Sequence, residues 1–330
     1  AEPRAFEPCP WWRHGWCGLG QAVGLIFLSG VYAWQWLGAF LTYGYLVVTD
    51  EWSVWHALLG AVIVNVLTTP AILTLSILVK WLLLGKIKPG QHPLWGWYYW
   101  RFWFVRALVR ASPVQYLSGT PWLNWYYRLM GARIGTGVFL GAHGLSTFDL
   151  LEVGDGCSVG ADTTLDGVSV EGGMLRLGRV TLGRNCWLGN RSSLGLNSRM
   201  EDGAGLDDLS MLPDDGVIPA GQLWRGSPAA PAGTPDGRPR LKPWGLALAI
   251  GQAVGIAAFP LMVLAAVFPG LMLITHLGHL DQGFSFLLAA PFVGLTFVLC
   301  LCTEIWVLKW LLLGRIRPGC RPIKSWFYLR

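Results

Sequence analysis

A six-residue period constrains this chain more than any other feature. Leu182, Leu188, Leu194, Met200 and Leu206 recur at every sixth position. Each is followed at once by Gly or an acid (Gly183, Gly189, Gly195, Glu201, Asp207). Four positions after each aliphatic comes a small residue (Cys186, Ser192, Ser198, Ala204, Ser210). A second run starts at Val153, Val159 and Leu165, with Cys157, Thr163 and Ser169 in the small slot. A third starts at Ile134 and Leu140. This pattern suits one short strand and a turn per hexad, with three hexads to a triangular coil. The aliphatic side chains then stack inside a narrow prism, beside residues small enough to share it. The expectation is a left-handed parallel β-helix over residues 132–230, with Gly or Asp at corners where φ turns positive. Residues 142–152 and 170–180 break the period and read as irregular loops. Residues 217–229, VIPAGQLWRGSPA, read as the closing segment.

The flanks obey a different rule. Residues 14–49, 52–79, 243–280 and 282–303 contain no Asp, Glu, Lys or Arg. Each exceeds the roughly 20 apolar residues needed to cross a bilayer. Asp50 and Glu51 separate the first pair, and a short turn at 276–282 separates the second, so each pair reads as a transmembrane hairpin. This explains why charged residues make up only 13% of the chain against about 25% in a soluble domain.

The net charge of +6 is also localised. Residues 80–110 carry six basic residues and no acid, and residues 309–330 again carry six and none. The positive-inside rule places these borders, and the β-helix between the hairpins, on the cytoplasmic side of the inner membrane. The charge therefore reads as an attraction to anionic headgroups of the lipid bilayer, not as a nucleic-acid footprint. Residues 95–110, WGWYYWRFWFVRALVR, read as a helix lying in the interface, aromatic rings at headgroup level and Arg heads in water. Thr120-Pro121 starts a further helix that Gly131 stops.

The chain also repeats itself. Residues 80–90 read KWLLLGKIKPG and residues 309–319 read KWLLLGRIRPG. Pro93, Trp97 and Arg101 match Pro322, Trp326 and Arg330, and GQAVG occurs at both 20–24 and 251–255. The unit is about 230 residues long, hence an internal repeat. With Ala1 in first place and the second unit only begun, the chain is expected to be a fragment of a longer protein. The layout is an N-terminal segment (1–18), transmembrane hairpin 1 (19–85), a basic aromatic interfacial helix and connector (86–131), the β-helix (132–230), a Pro/Gly linker (231–243), hairpin 2 (244–313) and the start of a second repeat (314–330). The fold class is thus a mixed membrane protein, with α-helical transmembrane hairpins flanking a left-handed parallel β-helix.

The hexads and the closing GSPA (226–229) resemble hexapeptide-repeat acyltransferases. The hairpin, the hexapeptide domain with FDLLEVGDG (148–156) and the following hairpin together look like the C-terminal region of ε-poly-lysine-synthetase-type nonribosomal peptide synthetases. The resemblance implies adenylation and carrier domains in the same parent chain, and further hexapeptide domains that form a pseudo-trimer. It implies a condensing reaction that joins an amino acid, held as a phosphopantetheine-carrier thioester, to an amine. A free-standing acetyltransferase using acetyl-CoA and a catalytically silent scaffold copy are the alternatives.

Acyl transfer needs a base for the attacking amine. The β-helix has one His, His143, in the first irregular loop, and Asp149 in the same loop is placed to orient an imidazole or bind an amine. The plainer reading is a solvated His and a turn cap. As aligned to the family pattern, a His belongs near Val168, in DGVSVEGG (166–173), and this chain has none there. Either this copy is silent or His143 substitutes. Asn190, Arg191 and Asn197 fall on hexad turns, where turn chemistry accounts for them. Neither a metal nor a tightly bound cofactor is expected, with one His in the domain and no CxxC pair. Cys157 and Cys186 read as prism packing, and Cys300 and Cys302 as inert. His276 and His279 read as polar residues of the outer turn, and Glu304 as a residue near the inner end of the fourth span.

Overall fold

The computed structural model describes residues 9–48, 50, 52–235, 244–280, 290–316, 319, 324 and 325. Contacts divide the chain into two compact units: residues 1–37 with 68–244, and residues 38–67 with 245–330. The long helices α1 (Trp11–Val48) and α2 (Val54–Leu83) each contribute to both.

The first unit is built on a β-solenoid of three faces. One face stacks Arg133–Ile134, Leu151–Val153, Val180–Leu182, Arg199–Met200 and Val217–Ile218, all in parallel. A second stacks Phe139–Leu140, Ser158–Val159, Trp187–Leu188, Gly205–Leu206 and Leu223–Arg225. The third pairs Ser193–Leu194 with Met211–Leu212, and Thr164 bridges to Ser193. Arg199 pairs with Thr181 and with Val217, each 18 positions away, so three hexads make one coil.

The hexad aliphatics Leu182, Leu188, Leu194, Met200 and Leu206 are all buried, and the stack continues through Leu212 and Ile218. Burying each such side chain is worth about 1.5–3 kcal/mol. The small slot from Cys186 to Ser210 is buried too, Cys157 and Cys186 included. Ser169 is an exception to the expected pattern. It lies on a hairpin strand outside the prism and is half-buried.

The corners differ from expectation. Positive φ falls three positions after each aliphatic, at Asn185, Arg191, Asn197, Leu209 and Asp215, and not at the glycine that follows it. That glycine answers to a close approach. A Cβ on Gly189 would lie 2.4 Å from the Asp208 amide nitrogen, and one on Gly195 would lie 2.6 Å from that of Asp214. The same aspartates tie successive coils. Asp208 Oδ1 accepts the Asn190 N–H at 2.6 Å and Asp214 Oδ1 accepts the Leu196 N–H at 2.8 Å. Asn190 and Asn197 serve this ladder, accepting from the amides of Ala161 (2.9 Å) and Arg179 (3.2 Å). Such side chains close a hydrogen bond that a corner would otherwise leave open.

Neither irregular stretch is a free loop. Arg133 pairs with Glu152, 19 positions on, so the first costs the coil one extra residue. Leu145, Ser146, Thr147, Phe148 and Leu150 are buried, with a 3-10 turn at Phe148–Leu150. The second is longer: Glu152 pairs with Thr181, 29 positions on. The excess forms a hairpin, Val168–Glu171 antiparallel to Met174–Leu177, and Gly90–Pro93 adds a third antiparallel strand. Beneath it Ile87, Phe102, Leu150, Leu175 and Leu177 form a buried cluster.

Helix α3 (Trp97–Ala111) packs one face against the rest of the first unit. Phe102, Val105, Leu108 and Val109 are buried against protein. Arg101 donates to the Leu83 carbonyl at 3.0 Å, and Arg106 faces Asp166. Gly20 and Gly24 of α1 lie under Trp100, Trp103 and Phe104 of α3: a Cβ on Gly20 would lie 2.7 Å from Trp100 Nε1, and one on Gly24 would be tight at 3.1 Å from the Phe104 ring. Helix α4 (Pro121–Leu129) begins at Pro121 as expected, and Gly131 follows with φ of 112°. It covers the open end of the prism, with Asn124 Nδ2 donating to Val138 O and Arg128 Nε to Ile134 O, both at 2.9 Å. At the other end Ala230–Gly233 pairs antiparallel with Leu223–Arg225. The expected Pro/Gly linker therefore starts later than residue 231, and residues 236–243 lie outside the described residues.

The second unit holds α5 (Leu246–Leu280) and α6 (Ala290–Leu308), the latter ending in a π-helical turn at Lys309–Leu313. Gly270 packs against Val293, and Tyr43 and Phe268 meet edge to face at 6.3 Å. Among the described residues four helices are long and apolar enough to cross a membrane: Trp11–Val47, Val54–Leu83, Leu246–Gly270 and Ala290–Leu313. Helix α5 continues through Leu280, so His276 and His279 are helical and do not form the expected turn. The rest of that turn lies outside the described residues, as does most of the segment read as the start of a second repeat.

Candidate active site

The irregular coils meet α3 and α4 around a cavity of about 570 Å³. Its walls come from Arg106 and Arg110 of α3, Gln115 of the 3-10 turn Pro113–Leu117, Tyr127 of α4, His143 to Leu145, and Asp162 to Asp166. An insertion of one residue at 142–152 and the hairpin detour after Asp166 are what open this space in an otherwise filled prism.

Asp166 organises the floor. Its carboxylate accepts the amides of Ser146 (3.1 Å) and Thr147 (3.0 Å), the Thr147 hydroxyl (2.9 Å) and the Ser146 hydroxyl. Thr147 Oγ1 in turn accepts the Gly167 N–H at 3.1 Å. Arg106 Nη2 stands 3.7 Å from the carboxylate. Burial pushes the Arg106 guanidinium below its ordinary pKa, and the Asp166 charge opposes that. Asp166 thus pins both the segment that carries His143 and one basic wall of the cavity. Burial also pushes the Tyr127 phenol up, so it stays neutral.

His143 is exposed at the cavity rim and makes no hydrogen bond among the described residues. Asp149 is not with it. Its side chain is 3% exposed and lies 2.8 Å from Lys80 Nζ, which is wholly buried. Asp149 Oδ2 also accepts the Ile87 N–H at 3.0 Å. Gly131 sits against this pair so closely that a Cβ there would collide with the Asp149 carboxylate. The structure therefore engages Asp149 in fastening the end of α2 to the solenoid, away from the imidazole it was expected to orient. Lys80 is correspondingly not a headgroup-facing charge.

Asp166 carries no signal in the sequence that marks it out, although it opens the DGVSVEGG stretch. A buried carboxylate in a Asp-Gly pair looks like a turn until its four donors are seen. Among the described residues no group of three or more His, Cys, Asp or Glu is placed to hold a metal ion.

Comparison with known proteins adds a relative. The chain is 34% identical over 225 residues to the delta-poly-L-ornithine synthetase of Acinetobacter baumannii (strain AB307-0294). It is similar to part of a poly-amino-acid synthetase. The match covers 68% of this chain and 17% of that protein, so the chain spans about a sixth of its relative's length. No family model matches. Among solved structures, a hexapeptide-repeat acetyltransferase from Vibrio cholerae aligns at 10% identity and a TM-score of 0.30, over 50% of this chain and 92% of that one. A maltose O-acetyltransferase from Clostridium difficile 630 aligns at 16% identity and a TM-score of 0.28, over 32% and 59%.

Proposed function

We propose that this chain is a membrane-embedded condensing unit of the acyltransferase type, and that the cavity between α3 and the irregular coils is its site. The observation that carries this is the cavity's composition: an exposed imidazole, two arginines and a pinned carboxylate around about 570 Å³. That volume suits a small acyl group with part of its carrier arm. The donor is an amino acid held as a phosphopantetheine thioester, with Arg106 and Arg110 facing its phosphate. The acceptor amine attacks the thioester carbonyl carbon. The C–N bond forms, the C–S bond breaks, and the amine's proton passes by way of His143 to the departing thiolate. Asp166 is a positioning residue, acting through Ser146, Thr147 and Arg106.

The match spans 17% of a synthetase, which leaves length in a parent protein for carrier and adenylation domains and for further hexapeptide domains. The basic borders support a cytoplasmic site at the inner membrane. One observation favours the scaffold alternative: no carboxylate orients His143 among the described residues. The test supplies the purified chain with labelled aminoacyl-phosphopantetheine thioester and, separately, with acetyl-CoA. Transfer to an amine from the first, with KM for the donor raised about tenfold in Arg110→Gln, is expected. Transfer from acetyl-CoA alone supports a free-standing acetyltransferase, and transfer from neither supports the scaffold.

A further inference from the structure

A second cavity lies at the opposite end of α3 from the first. It measures about 440 Å³, and tryptophans line it: Trp12 and Trp16 of α1, with Trp95, Trp97 and Trp100 around the start of α3. Trp97 and Trp100 stack with ring centroids 4.9 Å apart, which makes that wall stiff. Arg13 is the one charged residue in the lining.

Two donors in this apolar lining lack acceptors. The Trp100 indole N–H is buried and makes no hydrogen bond. The Arg13 guanidinium makes no ion pair and no hydrogen bond among the described residues. Both groups are seated against glycine. A Cβ on Gly96 would lie 2.7 Å from Arg13 Nη2, and one on Gly20 would lie 2.7 Å from Trp100 Nε1. Gly96 has φ of −89° and ψ of 171°, an extended conformation open to any residue. Its bare Cα therefore answers to the guanidinium and not to the backbone.

The position along α1 matters as well. Its 38 residues reach about 57 Å at 1.5 Å each, against about 30 Å for the hydrocarbon of a bilayer. Arg13 is the third residue of α1 and its only Asp, Glu, Lys or Arg. The charge-free run starts at the next position. Arg13 and its indole neighbours thus stand where hydrocarbon gives way to headgroups, the level that Trp favours and that an Arg head seeks.

We propose that this cavity binds one phospholipid by its phosphodiester. The phosphate oxygens accept from the Arg13 guanidinium and the Trp100 N–H, and the upper part of one acyl chain lies against Trp16 and Trp97. A guanidinium in the lining repels a cationic amine, and a phosphate supplies the acceptors that a fork of donors needs. A lipid without phosphate would leave both donors unmet. A free anion would exchange its water for indole rings, with no chain to bury in return.

The test titrates the delipidated full chain in detergent with dioleoylphosphatidylglycerol, dioleoylglycerol or inorganic phosphate, and counts bound molecules by native mass spectrometry. One tightly held phosphatidylglycerol is expected, with neither of the other two retained. Arg13→Gln is expected to weaken binding about tenfold. Gly96→Ala is expected to do likewise, since its methyl group displaces the guanidinium and removes no group from the cavity. Arg315→Gln, at an exposed basic residue beyond α6, is expected to change nothing. Equal retention of dioleoylglycerol would make the cavity an apolar groove only, and retention of inorganic phosphate an anion site only. Equal losses in Arg13→Gln and Arg315→Gln would mean a general surface attraction. Each of these results overturns the proposal, as does binding that ignores both Arg13→Gln and Gly96→Ala.

Discussion

The two halves of the solenoid obey different rules. From Val180 onward successive parallel strands pair at 18 positions, aliphatics fill the prism, and an Asp/Asn ladder ties the corners. Before Val180 the spacings are 19 and 29. There the chain leaves the prism to meet α3, α4 and the end of α2, and there the cavity and the Lys80–Asp149 pair lie. A regular coil has no spare backbone with which to build a concave site. Departures from the period create one, and they need fastening from outside.

The largest expected effect breaks that fastening. Lys80→Met leaves the Asp149 carboxylate buried without its cation, at a cost of about 3–5 kcal/mol. Chemical unfolding in detergent is expected to shift accordingly, while the double variant Lys80→Met with Asp149→Leu recovers much of the loss. Equal losses in the single and double variants would mean that the pair does not hold this half. In the regular half, Leu188→Ala opens a cavity in the prism and is expected to cost about 2–5 kcal/mol. Turnover per folded molecule is expected to stay at the parent value, and a fall in it would blur the division of labour between the halves.

A smaller effect concerns pH. Burial raises Tyr126 to about 12 against the opposing hydrogen bond from Ser76, and burial raises Tyr127 as well. A raised acid favours its neutral form in the folded state. The stability it contributes is full below the unfolded value near 10 and is lost as pH rises through the folded one. Tyr126 alone is expected to lower the unfolding free energy by about 2 kcal/mol between pH 10 and 12, a part of the decline that Tyr126→Phe removes. A flat profile would show that the end of the prism under α4 is wetter than its burial suggests.

The regular half was legible because its period encodes the inward stack directly, and the spans because charge is excluded from them. The corners are not legible in the same way, because Gly after the aliphatic looks like a positive-φ residue and instead answers to the neighbouring coil. The hairpin at 168–177 was hidden by Gly172 and Gly173, which look like loop residues until Gly90–Pro93 pairs with one of its strands. Lys80, Arg101 and Arg106 read as headgroup charges in the sequence, because an amphipathic pattern states that a face is covered without stating by what. In the structure they face Asp149, a carbonyl and Asp166. Asp149 has the loop position of a chemical residue, and its partners are Lys80 and the Ile87 amide, whereas Asp166, which looks like a turn residue, pins the cavity.

The central claim is that the irregular half is where acyl transfer takes place. Its most direct measurement is single-turnover transfer from an aminoacyl-phosphopantetheine thioester to an amine, per folded molecule, in His143→Ala at the cavity rim and Arg199→Gln on the regular coils. The account requires a loss of about 10²–10⁴-fold for His143→Ala and no change for Arg199→Gln. Unchanged transfer in His143→Ala, or equal losses in the two variants, would contradict it.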